Sequence, residues 1–319
     1  METKRRNTWI IAIIALLAIA CGCLMLTALV VSVGGVAPAR IRAARQVAVI
    51  DIDGVILYGE LDRPFTGTGM TYSGQVVEQL EQMDADPRVA AIVLNINSPG
   101  GSVVGSADIH RAVVAVPKPI VASMGETAAS GGYYVAAGAD RIVTRPGTIT
   151  GSSGVIMTTI HFDGLLEMLG IESEVLKSGP LKDMGSAYRP LTPEERDLLQ
   201  AMIDEAYDDF VEVVADGRDL SMNEVREMAD GRILSGRMAL DLGLADDQGN
   251  LDDAIALAAE LGEIPGEPDV RRFRRDPSLM EILFGALAGQ QNAWDRLLHD
   301  ALYSEMQIPQ LYYLHSGSR

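Results

Sequence analysis

Cysteine is nearly absent from this chain. Only Cys21 and Cys23 occur, and both lie in an apolar N-terminal stretch. A disulfide framework for the rest is therefore excluded, and a thiol-poor body is compatible with an oxidising compartment. Four scattered histidines, His110, His161, His299 and His315, offer no zinc-ligand spacing, so neither a metal nor another cofactor is expected. Basic residues are also few, 26 Lys and Arg against 44 Asp and Glu, for a net charge of −18. The imbalance is local: residues 1–45 hold six basic residues against Glu2 alone, whereas the remainder holds 20 against 43 acidic. A body this acidic repels phosphate backbones, which argues against a nucleic-acid partner. No internal repeat is visible. What is present is length and apolar content: 319 residues, 48% hydrophobic, enough for one large core plus one apolar segment.

That segment runs uncharged from Trp9 to Val33. It exceeds the roughly 20 apolar residues that span a bilayer. Lys4, Arg5 and Arg6 precede it and favour a cytoplasmic N-terminus, with the body outside. Arg40, Arg42 and Arg45 pull mildly the other way. A cleaved signal peptide is the first alternative, but its apolar core is usually shorter. A lipoprotein tether at Cys21 is the second, but the chain stays apolar for a dozen residues beyond it. An uncleaved anchor over about 9–33 is the reading adopted.

From Gln46 onward, short β-branched runs alternate with amphipathic stretches, an α/β pattern. Strands are expected at 47–56, 90–96, 120–125, 141–144 and 173–177. Helices are expected through Val76–Met83, through Ile109–Val114, over 128–139 and near 163–169. Thr192-Pro193-Glu194-Glu195 marks a helix start, with an N-cap hydroxyl, proline at the first position and acidic residues in the first turn. That helix is expected to reach about Val214. Residues 231–262 suggest a turn, a short helix and a closing helix. This divides the chain into an anchor and linker (1–45), a catalytic body (46–265) and an Arg-rich, Trp-containing helical extension (266–319). The extension reads as an amphipathic helix packing on its own domain or a neighbouring subunit, or as a membrane-surface element.

Three segments bear on chemistry. Ser130 follows a strand where a helix of small residues begins, so its hydroxyl and the Gly131 N–H lie in the positive field of a helix N-terminus. Acyl transfer needs such a nucleophile beside donors for an oxyanion, although a serine here is commonly just an N-cap. The turn Ser98-Pro99-Gly100-Gly101 allows positive φ and close backbone approach, and a Gly101 N–H pairing with that of Gly131 would complete an oxyanion hole. A base is also needed; His110 sits in an amphipathic helix with no acidic partner pattern and reads as a surface or interface residue, and a lysine is the other option. Lys182 and Lys177 compete for that role. A lysine acts as base only when neutral, away from carboxylates, and Asp183 is adjacent to Lys182.

Together these segments resemble the signal peptide peptidase A family, whose fold is shared with Clp-type proteases and crotonases. The resemblance covers about residues 46–262. It rests on Asn97–Gly101, on Met124-Gly125 with Ala128–Tyr134, on Thr150–Ser152 with Gly154–Ile156, and on Lys177–Gly179 with Lys182-Asp183. It implies a core of repeated β-β-α units in the short, single-unit form. It implies Ser130 as nucleophile, Lys182 as base, Ser152 as the residue orienting that lysine, and Gly101 and Gly131 as oxyanion donors. It further implies a homo-oligomeric ring acting on signal-peptide remnants at the cytoplasmic membrane. A same-fold peptidase for a stomatin-like membrane protein, a crotonase-like acyl-CoA enzyme and a catalytically silent scaffold are the rival readings.

Overall fold

The run VAVIDID forms β1 (Gln46–Asp53), buried along Val47–Ile50, in a computed structural model that describes residues 45–60, 69–273 and the backbone of 312–314. Successive side chains of a strand leave on opposite faces. Val47 and Val49 enter one core cluster, while Ala48, Ile50 and Ile52 enter another. Both faces are covered, which is why the run is apolar without alternation.

At Gly54, with φ +73°, the chain leaves this sheet and forms β2 (Val55–Leu57), then β3 (Met70–Tyr72) and α1 (Ser73–Ala85). The next unit repeats the plan with β4 (Val89–Ser98), a break at Pro99, β5 (Gly100–Ser102) and α2 (Val103–Ala115). The third unit is β6 (Ile120–Ala129) followed by α3 (Gly131–Ala136). Then come β7 (Arg141–Thr144), β8 (Ile149–Gly151), α4 (Asp163–Met168) and the long α5 (Pro193–Arg218). The chain continues through α6 (Met222–Met228), β9 (Ile233–Ser235), α7 (Gly236–Asp241), β10 (Asp247–Gln248) and α8 (Leu251–Leu261). Two short strands end it, β11 (Asp269–Arg272) and β12 (Tyr312–Leu314).

The main sheet has the order β10-β7-β6-β4-β1-β11, parallel throughout. Near its C-terminal end β6 exchanges β7 for β8, which pairs antiparallel with β9. A second sheet, β12-β5-β2-β3, collects the strands that follow the breaks at Gly54 and Pro99. Helix α8 covers one face of the main sheet, with Ala254, Ile255 and Ala258 against Val93 and Val121. The other face carries Leu80, Ile109, Tyr133 and Phe210 from α1, α2, α3 and α5.

Most expected elements are present, with differences that have physical causes. The expected strand at 173–177 does not form: residues 171–177 take no regular structure and Leu176 is 91% exposed, because no strand among the described residues lies alongside to pair with it. The Ser98–Gly101 turn is instead a break between two strands, since Gly100 and Gly101 are taken up by the second sheet. The helix expected over 128–139 starts only at Gly131, because Ala128 and Ala129 still pair with β8. Beyond residue 265, β11 adds to the edge of the main sheet. It is fixed by Gln46 Nε2 donating to Asp269 Oδ2 (2.7 Å) and by an Arg271–Asp86 ion pair of 2.7 Å. The apolar segment 9–33, both cysteines and the helical pattern of the tail lie outside the described residues. Among the described residues, no helix is long and apolar enough to cross a membrane.

Candidate active site

Ser130 is the single residue between β6 and α3. Its backbone is held at φ 52°, ψ −120°, a region costly for any residue with a Cβ. The strain persists because both flanks are tied: the Ser130 N–H donates to the Gly151 carbonyl (2.8 Å), and its own carbonyl accepts from Tyr134 N–H (2.9 Å). This sharp strand-to-helix turn resembles a nucleophile elbow, without the usual glycine two residues before the serine. The side chain makes no cap hydrogen bond, which removes the plain N-cap reading. Ser130 is fully buried, and its Oγ has no hydrogen-bond partner among the described residues. A buried hydroxyl left unpaired costs free energy, so one in a strained turn marks a site kept for something else.

Small residues let the surroundings close on this turn. Gly131 begins α3, and the first N–H groups of a helix have no intrahelical acceptor. A Cβ on Gly132 would stand 2.8 Å from the Ser98 carbonyl. Gly100 carries the positive φ (+99°), whereas at Gly101 the demand is closeness: a Cβ there would run into the Ile56 carbonyl of β2. Ser98 ties both sheet breaks together, its Oγ donating to the Gly54 carbonyl (2.6 Å) and accepting from Gly100 N–H (3.1 Å). Strand β5 is flanked by parallel β2 on one edge. On the other, the backbone of Tyr312–Leu314 pairs antiparallel with it, Tyr313 opposite Gly101.

Ser152 is one residue from the carbonyl that holds Ser130. It also has positive φ (50°), and its N–H donates to the Arg232 carbonyl (2.7 Å). It stands at the rim of a cavity of about 520 Å³ lined by Val155, Ile156, Ile203, Tyr207 and Ile233. Ser130, Gly131 and Ser152 are thus brought together through the β6–β8 pairing, with Gly101 in the neighbouring sheet against which α3 packs.

Lys182 is not part of that cluster. It lies in an arm, residues 154–194, in which no residue is buried, and its side chain is exposed without a partner among the described residues. The competition between the two lysines has a geometric answer. Lys177 Nζ is committed to Asp183 (2.7 Å) and the Pro180 carbonyl (2.9 Å). Asp183, which stood beside Lys182 in sequence, is turned away from it toward Lys177 and Arg189. Those hydrogen bonds, from Arg189 first and Lys177 next, hold its carboxyl far below the usual carboxylate range. The sequence marked Glu195 only as a helix-start residue and did not point to Arg189 or to their pairing, because the spacing follows no helical or strand period.

His110 packs edge-on against Tyr134 with ring centroids 5.2 Å apart, and burial pushes its imidazole toward the neutral form. It forms the wall of a separate cavity of about 370 Å³ with Gly138 and Gly217. His161 stands on the arm near Thr159, at 3.4 Å. His299 and His315 lie outside the described residues.

Comparison with known proteins bears on the fold and the family. The Clp protease family model matches residues 66–148, and the peptidase family S49 model matches residues 113–264. A candidate protease of Synechocystis sp. is 40% identical over 263 residues, covering 82% of this chain and 90% of that protein. A candidate signal peptide peptidase of Enterococcus faecium is 43% identical over 180 residues, 56% of this chain and 52% of that one. Protease 4 of Salmonella typhi is 34% identical over 267 residues, 82% of this chain and 41% of its own length. The chain therefore spans about half or less of the latter two. The fold is α/β with a Clp-protease-like domain. Within that class, the chain belongs to peptidase family S49, a family of serine proteases, consistent with the signal peptide peptidase A resemblance.

Proposed function

We propose that this chain is a membrane-anchored endopeptidase that degrades cleaved signal peptides and other hydrophobic membrane-associated peptides. The observation that carries the reading is the Ser130 elbow with its buried, unpaired Oγ. In the proposed cycle, neutral Lys182, oriented by Ser152, takes the Oγ proton as Ser130 attacks the scissile carbonyl. The N–H groups of Gly101 and Gly131 receive the oxyanion. The lysine then passes its proton to the leaving amine, and water releases the acyl-enzyme. The antiparallel pairing on β5 favours a peptide substrate, because that edge accepts an extended strand through main-chain hydrogen bonds.

The exposed arm is read as an assembly surface. Met168 (85% exposed), Leu169 and Leu176 would be covered in a homo-oligomeric ring, where a lysine reaches the serine of its own subunit or of a neighbour. The anchor over 9–33 places the body on the outer side of the cytoplasmic membrane. Fluorophosphonate labelling of the full-length protein in detergent, alongside digestion of a synthetic signal peptide, tests the chemistry. Labelling of wild type and not of Ser130→Ala is expected, and equal labelling of both sinks the assignment. Protease added to intact spheroplasts should digest the body, and protection until lysis would reverse the topology.

A further inference from the structure

Four charges are locked together beside Lys182. The Arg189 guanidinium grips Asp183 through Nε to Oδ2 (3.0 Å) and Nη2 to Oδ1 (2.6 Å). It also grips Glu195 through Nη1 to Oε2 (2.8 Å) and Nη2 to Oε1 (2.5 Å). Lys177 closes the set on Asp183. Two cations and two carboxylates cancel, and Lys182 is left over.

Glu195 is fully buried, and its carboxylate serves twice. It completes the capping box of α5 by accepting from Thr192 N–H (2.9 Å), while holding Arg189. Hydrogen bonds from Arg189 and then Thr192 bring its carboxyl down to about 2. Other titratable groups around the loop are His161 and Asp163, flanking the Phe162 N–H bonded to the Ala187 carbonyl (2.7 Å), Glu194 on the first turn of α5, and Glu167 and Glu172, which share a cavity wall with Asp163 and Tyr188.

Helix α5, about 39 Å long at 1.5 Å per residue, carries this cap at one end and packs on the nucleophile helix at the other. There Phe210 meets Tyr134 edge-on at 5.2 Å, and Gly217 passes the Ala137 carbonyl with no room for a side chain. One rigid element thus connects the base's loop to the helix that begins at Ser130. We propose that Arg189 is a positioning residue: clamped between Asp183 and Glu195, it fixes the Lys182 loop on α5 and cancels the carboxylate beside the base. The inference rests on the Ser130/Lys182 reading. A free Asp183 carboxylate would favour the ammonium form of its neighbour and so disable it as a base. Only arginine carries donors in a planar fork that can satisfy two carboxylates at once.

The test reads fluorogenic-peptide kcat/KM and the fluorophosphonate labelling rate of the full-length protein from about pH 6 to pH 10. Arg189→Gln should move the acid limb of both profiles about one pH unit upward, a roughly tenfold loss near neutrality that alkaline pH recovers. Arg189→Lys should restore part of the limb position, and Asp183→Asn combined with Arg189→Gln should return it. A uniform loss at every pH, with the limb unmoved, overturns the proposal by making Arg189 merely structural. If Arg189→Gln does not fold, Asp183→Asn alone decides, because its limb should move to lower pH and an unmoved limb overturns the proposal. Lys182→Ala separates the two failures. Full activity of that variant sinks the dyad itself, whereas an inactive Lys182→Ala with unmoved limbs elsewhere sinks only the role of Arg189.

Discussion

The two halves of the proposed dyad are held by opposite means. Ser130 is placed by a parallel sheet buried on both faces, by backbone hydrogen bonds and by glycines that leave no space. Lys182 is placed on an arm with no buried residue, by an ion-pair lattice anchored at one helix cap. A close-packed core fixes an atom through volume and changes little with pH or salt. A lattice of charges fixes an atom only while its members stay ionised. The proposed nucleophile is therefore the invariant partner and the proposed base the adjustable one, and each perturbation should strike one half more than the other.

The largest effects come from deleting either reacting group. Ser130→Ala should lower turnover by at least about 10⁴-fold while leaving the thermal midpoint almost unchanged, since no cap bond is lost. Lys182→Ala should match it, whereas Lys177→Ala should retain at least some turnover because that side chain is spent on Asp183 rather than on the reaction. Substantial hydrolysis by folded Lys182→Ala together with a dead Lys177→Ala would exchange their roles. Next is Gly101→Ala, which strikes the rigid half. Its methyl would run into the β2 backbone, so a loss of about 2–3 kcal/mol in denaturant unfolding is expected. An unchanged midpoint would mean that β2 and β5 part easily.

Acid should loosen the arm before the core. Glu195 and Asp183 are held below their unfolded values. Their stabilisation is complete above the ordinary carboxylate range and fades as pH falls from there toward about 2 for Glu195. Hydrogen exchange at moderately acid pH should rise in residues 177–195 while β1, β4 and β6 stay protected, and uniform loss would contradict a separate lattice. The smallest effect is expected from Leu176→Ser, since that side chain is already in solvent. The subunit's own stability should change by no more than about 0.5 kcal/mol, while sedimentation should show a smaller assembly. An unaltered assembly would remove the arm from the subunit contact.

The same division explains what could be read from the amino-acid order. β1, β4 and β6 were legible because strands covered on both faces must be continuous apolar runs. Helix α5 was legible because Thr192, Pro193 and Glu195 are start signals whose function is local, and the structure adds a capping box to the expected N-cap. Ser130 stood out by position, but its strained φ was not legible without the glycine signature. Ser-Glu-Val-Leu-Lys at 173–177 reads as a short strand yet finds no pairing strand among the described residues, and pairing is not a local property. The Arg189 clamp follows no period, and Asp-Val-Arg-Arg at 269–272 is too charged to suggest a strand until its partner is known.

That last strand sets a schedule for the growing chain. β1 gains one flanking strand from β4, but the other arrives only with β11, whose Asp269 pairs with Gln46 across 223 residues. At synthesis rates of about 5–20 residues per second, roughly 10–45 s separate the two. Through that interval β1, buried from Val47 to Ile50, presents an open row of amide and carbonyl groups, a template for pairing with another nascent chain. A stop codon after residue 262 would spare every proposed catalytic group and leave that edge bare permanently. Such a product should gather into inclusion bodies rather than accumulate as a shortened enzyme.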